Sequence, residues 1–108
     1  MENDLIFEVR YFHIPCGTIE NAKFISETVI KSRLAACSHI SEIKSSYLWD
    51  NQLQSEIEFL LILKTTPEFE GALSIMVRNL HQYEVPCILI IKANVNESYY
   101  RWMLTQLS

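Results

Sequence analysis

Residues 43–63, IKSSYLWDNQLQSEIEFLLIL, decide the fold because they read as two long strands around one tight turn. Asp50 and Asn51 both tolerate the left-handed backbone geometry that a two-residue hairpin turn requires. Successive side chains of a strand point to opposite faces, so alternate residues of each arm share a face. These sets are Ile43, Ser45, Tyr47 and Trp49 before the turn, and Ile57, Phe59, Leu61 and Leu63 after it.

The two arms of this hairpin are long for a small domain. We predict strands over about residues 36–49 and 53–65, whereas a typical strand has about 5–6 residues. A small sheet cannot pair that whole length, and the excess would leave an exposed apolar edge. Pairing with neighbouring copies would cover this edge, so we expect a closed homo-oligomer, and a trimer in particular.

The segments on either side of the hairpin complete a β-α-β-β-α-β order with a terminal helix. Pro15-Cys16-Gly17 ends the first strand, and Thr18 and Thr66-Pro67 mark helix starts. We predict strand 5–14, helix 19–33, the two hairpin strands, helix 67–80, strand 87–93 and a last helix capped by Asn96. This order predicts one α+β domain over residues 1–108, a ferredoxin-like split βαβ fold with helices on one face of an antiparallel sheet.

The composition excludes several classes of protein. The 108 residues carry a net charge of -4, which disfavours a nucleic-acid partner. The sequence has no apolar stretch of the roughly 18 residues that a membrane span needs, and it starts with polar residues, so we expect neither a membrane protein nor a secreted one. The odd cysteine count, without CxxC spacing, indicates free thiols in the cytoplasm. Cys37 and Cys87 lie beside aliphatic runs and read as core residues.

Residues 81–86, HQYEVP, carry an imidazole, a phenol and a carboxylate on one short connection. Pro86 ends any helix and pushes Val85 toward extended geometry. The polar groups of His81, Tyr83 and Glu84 are therefore presented on a connection of fixed shape, where functional groups often lie.

These residues belong to a set of short motifs that occur in a recognisable order. The motifs are Leu34-Ala35-Ala36-Cys37, Ser46-Tyr47-Leu48-Trp49, Lys64-Thr65-Thr66, His81-Gln82-Tyr83-Glu84-Val85-Pro86, and the stretch from Tyr99 to Trp102. With them, the chain resembles the divalent-cation-tolerance (CutA) family from about Phe7 to Leu107. No motif is decisive alone, and the resemblance depends on all five standing in the same order.

The resemblance implies a ferredoxin-like fold, a tight homotrimer, a cytoplasmic setting and a link to copper and other divalent cations. It also implies similarity to the trimeric PII signalling proteins, which bind small effectors in clefts between subunits. The sequence departs from the family pattern at Gln82, where the family has proline, and at Asn51, where glycine is usual. Leu80 replaces a second histidine of some members. A copper-linked cysteine of some members aligns with Ile14, two residues before Cys16.

His81 is the first candidate metal ligand, since imidazole is a common ligand of copper and zinc. The alternative is that it caps the preceding helix as a cation. Cys16 and His13 lie near the first strand–helix turn and are further candidate ligands, Cys16 as a soft one for copper(I). The alternative for Cys16 is a small apolar core residue. His39 lies on a strand with no obvious ligand partner.

A second candidate site is a ligand cleft at a subunit boundary. It consists of Glu58, Lys64, Tyr83 and Glu84, with Tyr47 or Trp49 as aromatic walls. A lysine beside a carboxylate and aromatic walls would suit a small anionic or zwitterionic ligand. The alternative is an interfacial salt bridge with aromatic packing.

Signatures of enzymes are missing from the sequence, which has no nucleophile elbow, glycine-rich phosphate loop, HExxH motif or paired-cysteine zinc spacing. We therefore expect a protein that is not an enzyme. The first hypothesis is a homotrimeric metal-binding or metal-tolerance protein with a divalent metal ion, copper in particular. The alternatives are a PII-like module that senses a small molecule in an intersubunit cleft, and a trimer with a structural or partner-binding role alone.

Overall fold

The computed structural model describes residues 6–108. Its elements are β1 (Phe7–Cys16), α1 (Ile19–Lys31), β2 (Cys37–Trp49), β3 (Gln52–Thr65), α2 (Glu70–Leu80, after the 3-10 turn Pro67–Phe69), β4 (Leu89–Val95) and α3 (Glu97–Gln106). The predicted α+β order is confirmed. Leu5, where the first strand was predicted to start, lies outside the described residues. No helix in this part of the chain is long and apolar enough to cross a membrane.

The four strands form one antiparallel sheet in the order β2-β3-β1-β4. Strands β2 and β3 pair along their whole length, from Cys37 opposite Lys64 to Trp49 opposite Gln52. The turn between them has φ angles of 51° at Asp50 and 62° at Asn51. Both residues are in the left-handed region, so the predicted hairpin turn is confirmed.

The hairpin extends far beyond the rest of the sheet. Strand β1 pairs with β3 only from Phe59 to Thr65, so among residues 6–108 the segment of β3 nearer the turn has β2 as its only neighbouring strand. Leu48 and Leu53 near the tip are 67% and 73% exposed. The chain accordingly measures 51 Å along its longest axis. The long arms, and the edge of β3 that extends beyond its pairing with β1, are as the sequence predicts.

Helices α1 and α2 cover one face of the sheet. Thr18 caps α1 through its side-chain oxygen, which accepts from the Asn21 N–H at 3.0 Å. The core beneath the two helices consists of alternate residues of β1 and β3 and of the apolar residues on the sheet-facing sides of both helices. Its fully buried members include Phe12, Ile14, Leu61, Leu63, Ala22, Ile25, Val29, Leu73 and Val77.

Helix α3 lies on the other face of the sheet. Met103 and Leu107 pack with Val9 and Ala36 in a second, smaller core. Val9 alternates with the residues of β1 that face α1 and α2, so this core is on the opposite side. The terminal helix therefore covers only one end of that face, and much of the rest is open.

Several strand boundaries differ from the prediction by one or two residues, and two of these differences involve residues that line the cleft described below. Strand β1 continues through Pro15 to Cys16, and β4 begins at Leu89 instead of residue 87. Both differences follow from the pairing of β1 with β4. Strand β4 starts opposite His13, so at Pro15 strand β1 is not paired with β4 and lies at an edge of the sheet. A proline, which has no N–H to donate, is tolerated at an edge.

Candidate functional site

The connection after α2 is held in place by the first helix. The His81 N–H donates to the Val77 carbonyl at 2.9 Å, which ends α2. The Asn21 side chain donates to the Leu80 carbonyl at 3.1 Å and accepts from the Gln82 N–H at 3.4 Å. One buried amide of α1 thus fixes the start of the loop that carries the predicted functional residues.

The His81 ring uses both of its nitrogens in hydrogen bonds. Nε2 donates to the Pro15 carbonyl at 2.8 Å, and Nδ1 accepts from the Tyr83 N–H at 3.1 Å. These partners require a neutral ring with its proton on Nε2. The side chain, 8% exposed, therefore links β1 to the loop and does not cap α2 as a cation. A metal ion would have to displace one of these two hydrogen bonds.

The three predicted metal ligands do not converge within the chain. Cys16 is fully buried in the core under α1 and α2, whereas His13 is on the opposite face of β1. Burial, and then the Glu58 carboxylate, raise the pKa of the Cys16 thiol to about 11. Between residues 6 and 108, no group of three or more His, Cys, Asp or Glu side chains is placed to hold a metal ion. The metal role of His81, Cys16 and His13 stays a prediction.

The Tyr83 side chain is packed and hydrogen-bonded at the mouth of a cleft. Its hydroxyl donates to Glu58 Oε2 at 2.5 Å, and its ring lies 4.8 Å from the His81 ring. Glu58 is 7% exposed. Burial and the hydrogen bond to Glu58 together raise the pKa of Tyr83 well above its usual value. At neutral pH the Tyr83 side chain is therefore an uncharged phenol, which donates its proton to the hydrogen bond with Glu58.

A second tyrosine–glutamate pair lies further along the hairpin. The Tyr47 hydroxyl donates to Glu56, and this hydrogen bond raises the pKa of Tyr47. Tyr47 is opposite Gln54 in the strand register, so Glu56 is its diagonal neighbour on the same face. The hairpin register therefore gives Tyr47 the same kind of contact with a glutamate that Tyr83 makes from the loop.

The two pairs open onto one cleft of about 490 Å³. Its lining residues are Pro15, Tyr47, Trp49, Gln54, Glu56, Glu58, Tyr83, Glu84, Val85 and Cys87. The structure therefore brings together four residues of the predicted cleft, namely Glu58, Tyr83, Glu84 and Trp49. Three of the lining residues are glutamates, and none is lysine or arginine. The cleft is acidic with aromatic walls.

Lys64, the fifth predicted cleft residue, lies elsewhere in the chain. Its ammonium group is 5.3 Å from the centre of the Tyr99 ring, at the α3 end of the sheet. Lys64 shares a strand face with Glu58, but six residues of extended chain separate them by about 20 Å. Without it, the cleft within one chain lacks the cation that an anionic ligand would require.

Two features of the cleft escaped the sequence analysis. The prediction that Cys87 is a core residue is wrong: Cys87 is exposed and lines the cleft, because β4 begins two residues later than predicted. For Glu56, the alternation along the second hairpin arm predicts only that its side chain points away from the core. The diagonal spacing to Tyr47 across a two-residue turn could have indicated their contact. For Cys87, the aliphatic run that follows it in the sequence indicates a buried residue, whereas the structure has it exposed.

The strand order, the long hairpin and the cleft at its base define a class of protein: a small ferredoxin-like domain with an extended β2–β3 hairpin. Within that class, the chain belongs to the CutA1 divalent ion tolerance protein family, whose model matches residues 11–106. The family resemblance noted in the sequence is confirmed.

Individual relatives agree with this assignment. The chain is 38% identical over 85 residues to the divalent-cation tolerance protein CutA of Thermotoga maritima, covering 78% of this chain and 84% of the relative. It is 33% identical over 88 residues to that of Pyrococcus horikoshii, covering 81% and 86%. Among solved structures, CutA1 from Ehrlichia chaffeensis matches with a TM-score of 0.90 at 27% identity, covering 95% of this chain and 98% of the other. The CutA of Archaeoglobus fulgidus, described as periplasmic, matches with a TM-score of 0.88 at 27% identity, covering 93% and 99%.

Proposed function

We propose that this protein is a homotrimeric cation-binding module and that the acidic cleft is its binding element. The observation that carries the proposal is the pair of tyrosine–glutamate contacts, Tyr83–Glu58 and Tyr47–Glu56, on one cleft that holds a third carboxylate, Glu84. Membership of a divalent ion tolerance family supports a role that involves cations. The role proposed is binding, without catalysis.

The chemistry of the cleft favours a small organic cation, such as an ammonium or guanidinium compound. A carboxylate has about four acceptor positions, so Glu56 and Glu58 can each accept further hydrogen bonds beside the one from tyrosine. The aromatic faces of Trp49 and the tyrosines attract a cation in addition. This is the sensing-module hypothesis with a different ligand: the sequence predicts an anionic or zwitterionic ligand, and we propose a cationic one because Lys64 is absent from the lining.

Titration calorimetry with a diamine, a guanidinium compound and a dicarboxylate tests this assignment. The cations should bind to the wild type, the dicarboxylate should not, and Glu58→Gln should weaken cation binding at least about tenfold, since a charged hydrogen bond contributes about 1.5–3 kcal/mol. Glu42→Gln is the matched control, because Glu42 is an exposed glutamate of β2 outside the cleft. Equal binding by wild type and Glu58→Gln would contradict the proposal.

Binding of a divalent metal ion, copper in particular, is the second candidate, and family membership favours it. Its predicted ligands are His81, Cys16 and His13. Calorimetric titration of copper(II) and zinc(II) into wild type and His81→Ala tests it. A specific site requires saturable binding that the variant loses, and equal weak binding in both proteins would contradict it.

The homotrimer and the cytoplasmic setting belong to the same proposal. The part of β3 near the turn has no second neighbouring strand in the described part of the chain, and this free edge supports strand pairing with another copy. Three free cysteines support a reducing compartment. Mass measurement in solution should give three chains, and a stable monomer would contradict the trimer.

A further inference from the structure

Two carboxylates of the cleft are spaced by the geometry of a single strand. Glu56 and Glu58 are alternate residues of β3, so their side chains project from the same face, with backbone positions about 6.4–6.8 Å apart. A tyrosine hydroxyl holds each of them, Tyr83 on Glu58 and Tyr47 on Glu56. After burial and Glu58, the negative charge of Glu56 also raises the pKa of Tyr83, which indicates that the two pairs lie close together.

Each tyrosine–glutamate pair can accept hydrogen bonds from one ammonium group. The Tyr83 hydroxyl donates its proton to Glu58 and keeps its oxygen lone pairs as acceptors, and the carboxylate has further acceptor positions. An ammonium group has three N–H donors, so it can bond to the phenol oxygen and the carboxylate together. Tyr47 and Glu56 form a second pair of the same composition. The cleft therefore offers two similar positions for ammonium groups.

The apolar walls of the cleft suit a hydrocarbon chain between these two positions. The cleft has a volume of about 490 Å³, and its lining includes Pro15, Trp49 and Val85. The Trp49 side chain is half-exposed in the chain, so its indole face can cover methylene groups. A ligand with two charged ends and an apolar middle therefore matches the cleft better than a compact cation does.

The two pairs lie beyond the end of β1, outside the four-stranded part of the sheet. Among the described residues, β1 pairs with β3 only as far as Phe59, the residue next to Glu58. Pairing of the free β3 edge with another copy would use backbone groups in the plane of the sheet, whereas the side chains of Glu56 and Glu58 stand perpendicular to that plane. The site is therefore compatible with the homotrimer proposed above.

We propose that the cleft binds an α,ω-diamine with four or five methylene groups, with one ammonium group on each tyrosine–glutamate pair. This inference rests on the cation-binding function proposed above and adds the length of the ligand. An extended carbon chain advances about 1.25 Å per bond, so the two nitrogens are about 6.3 Å apart with four methylene groups and about 7.5 Å apart with five. Two or three methylene groups give about 3.8 and 5.0 Å, which is too short to bridge the pairs.

Calorimetric titration of the full-length protein with diamines of two to ten methylene groups tests the length. Each diamine is compared with the monoamine of the same length, which removes the general gain from a longer apolar chain. The advantage of the diamine should be largest at four or five methylene groups and reach at least about tenfold, because hydrogen bonds between charged groups are strong. Glu56→Gln should abolish this advantage. Glu42→Gln, at an exposed position outside the cleft, is the matched control and should retain it.

A double variant of unchanged net charge moves one of the two carboxylates. With Gln54→Glu and Glu56→Gln together, the carboxylates at positions 54 and 58 are four residues apart, about 13 Å. Tyr47 lies directly opposite position 54 in the strand register, so the moved carboxylate still has a tyrosine neighbour. The preferred diamine should therefore change to one of nine or ten methylene groups, whose nitrogens are about 12.5–13.8 Å apart.

The outcomes distinguish this proposal from the function on which it rests. If neither amines nor guanidinium compounds bind to the wild type, the cation-binding function itself is wrong. If they bind but diamines show no preferred length, or if guanidinium compounds bind and diamines do not, the cleft binds cations and the diamine proposal is overturned. A preferred length that stays at four or five methylene groups in the double variant would also overturn it, because the second ammonium group would then not lie on Glu56.

Discussion

The Tyr83 ring lies directly against Gly17: a methyl group at position 17 would come within 2.9 Å of Tyr83 Cε1 and 3.0 Å of its hydroxyl oxygen. The ring cannot move aside without losing its contact with His81 or its hydrogen bond to Glu58. Glycine at position 17 is therefore needed for the close approach of the loop to the end of β1.

We predict that Gly17→Ala displaces Tyr83, lowers the free energy of unfolding by about 1–3 kcal/mol, as overpacking does, and weakens ligand binding in the cleft. Gly71 in α2 is the matched control, because an added methyl group there meets nothing within 4 Å. Gly71→Ala should stabilise the protein by about 0.5–1 kcal/mol through helix propensity. Denaturant unfolding measures both, and a shift of the same sign in the two variants would contradict the packing account.

The buried thiol of Cys16 should make the protein less stable at alkaline pH. Its pKa is raised in the folded protein to about 11, from 9.0, so its contribution to stability is full below about pH 9 and is lost as the pH rises through 11. Two units correspond to about 2–3 kcal/mol. The stability difference between wild type and Cys16→Ala should therefore shrink between pH 8 and pH 11. A constant difference over that range would show that the thiol is not protected by burial.

Removal of the His81 ring should be costly even without any metal. His81→Ala leaves the Pro15 carbonyl and the Tyr83 N–H without their partners in a mostly buried position. We predict a loss of about 2–4 kcal/mol in unfolding free energy, because each unsatisfied buried group costs about 1–3 kcal/mol. His39→Ala, at an exposed position, should cost less than about 1 kcal/mol. Similar losses in both variants would argue against the structural role of the His81 ring.

The exposed tip of the hairpin gives a test of assembly. Leu53 is 73% exposed in the single chain, and a charge at this position should prevent burial against another copy. We predict that Leu53→Glu shifts the protein toward smaller species in analytical ultracentrifugation. Phe24→Glu on α1, where Phe24 is 55% exposed, is the control and should leave the assembly intact. Dissociation by the control alone would place the interface on α1 instead.

Features set by local chemistry could be predicted from the sequence. The Asp50-Asn51 turn, the Thr18 cap and the alternation along both hairpin arms depend on neighbouring residues, and each is present in the structure. The strand and helix order followed from these signals. The grouping of Glu58 with Tyr83 also came from the sequence, although their contact joins positions 25 residues apart.

Features that depend on where one strand begins or ends relative to its neighbour could not be predicted from the sequence. Strand β4 begins at Leu89, opposite His13 of β1. As a result, Pro15 lies at an edge of the sheet, where a proline is tolerated, and Cys87 lies before the strand and is exposed. Strand alternation puts Lys64 on the same face as Glu58, which is the basis on which the sequence groups the two residues. Periodicity gives the face of a residue but not its distance along a long strand, and that distance excluded Lys64 from the cleft.

The two left-handed turn residues, Asp50 and Asn51, also limit how this hairpin can change length during evolution. One residue added to each arm between the base of the hairpin and the Tyr47–Glu56 pair would keep the strands in register but would turn both residues to the opposite face. Two residues added to each arm there would restore their orientation and move the tip outward by about 7 Å. Related hairpins that retain both residues on the cleft side should therefore differ, in the combined number of residues between the base and this pair, by multiples of four, a parity rule that sequence comparison can check.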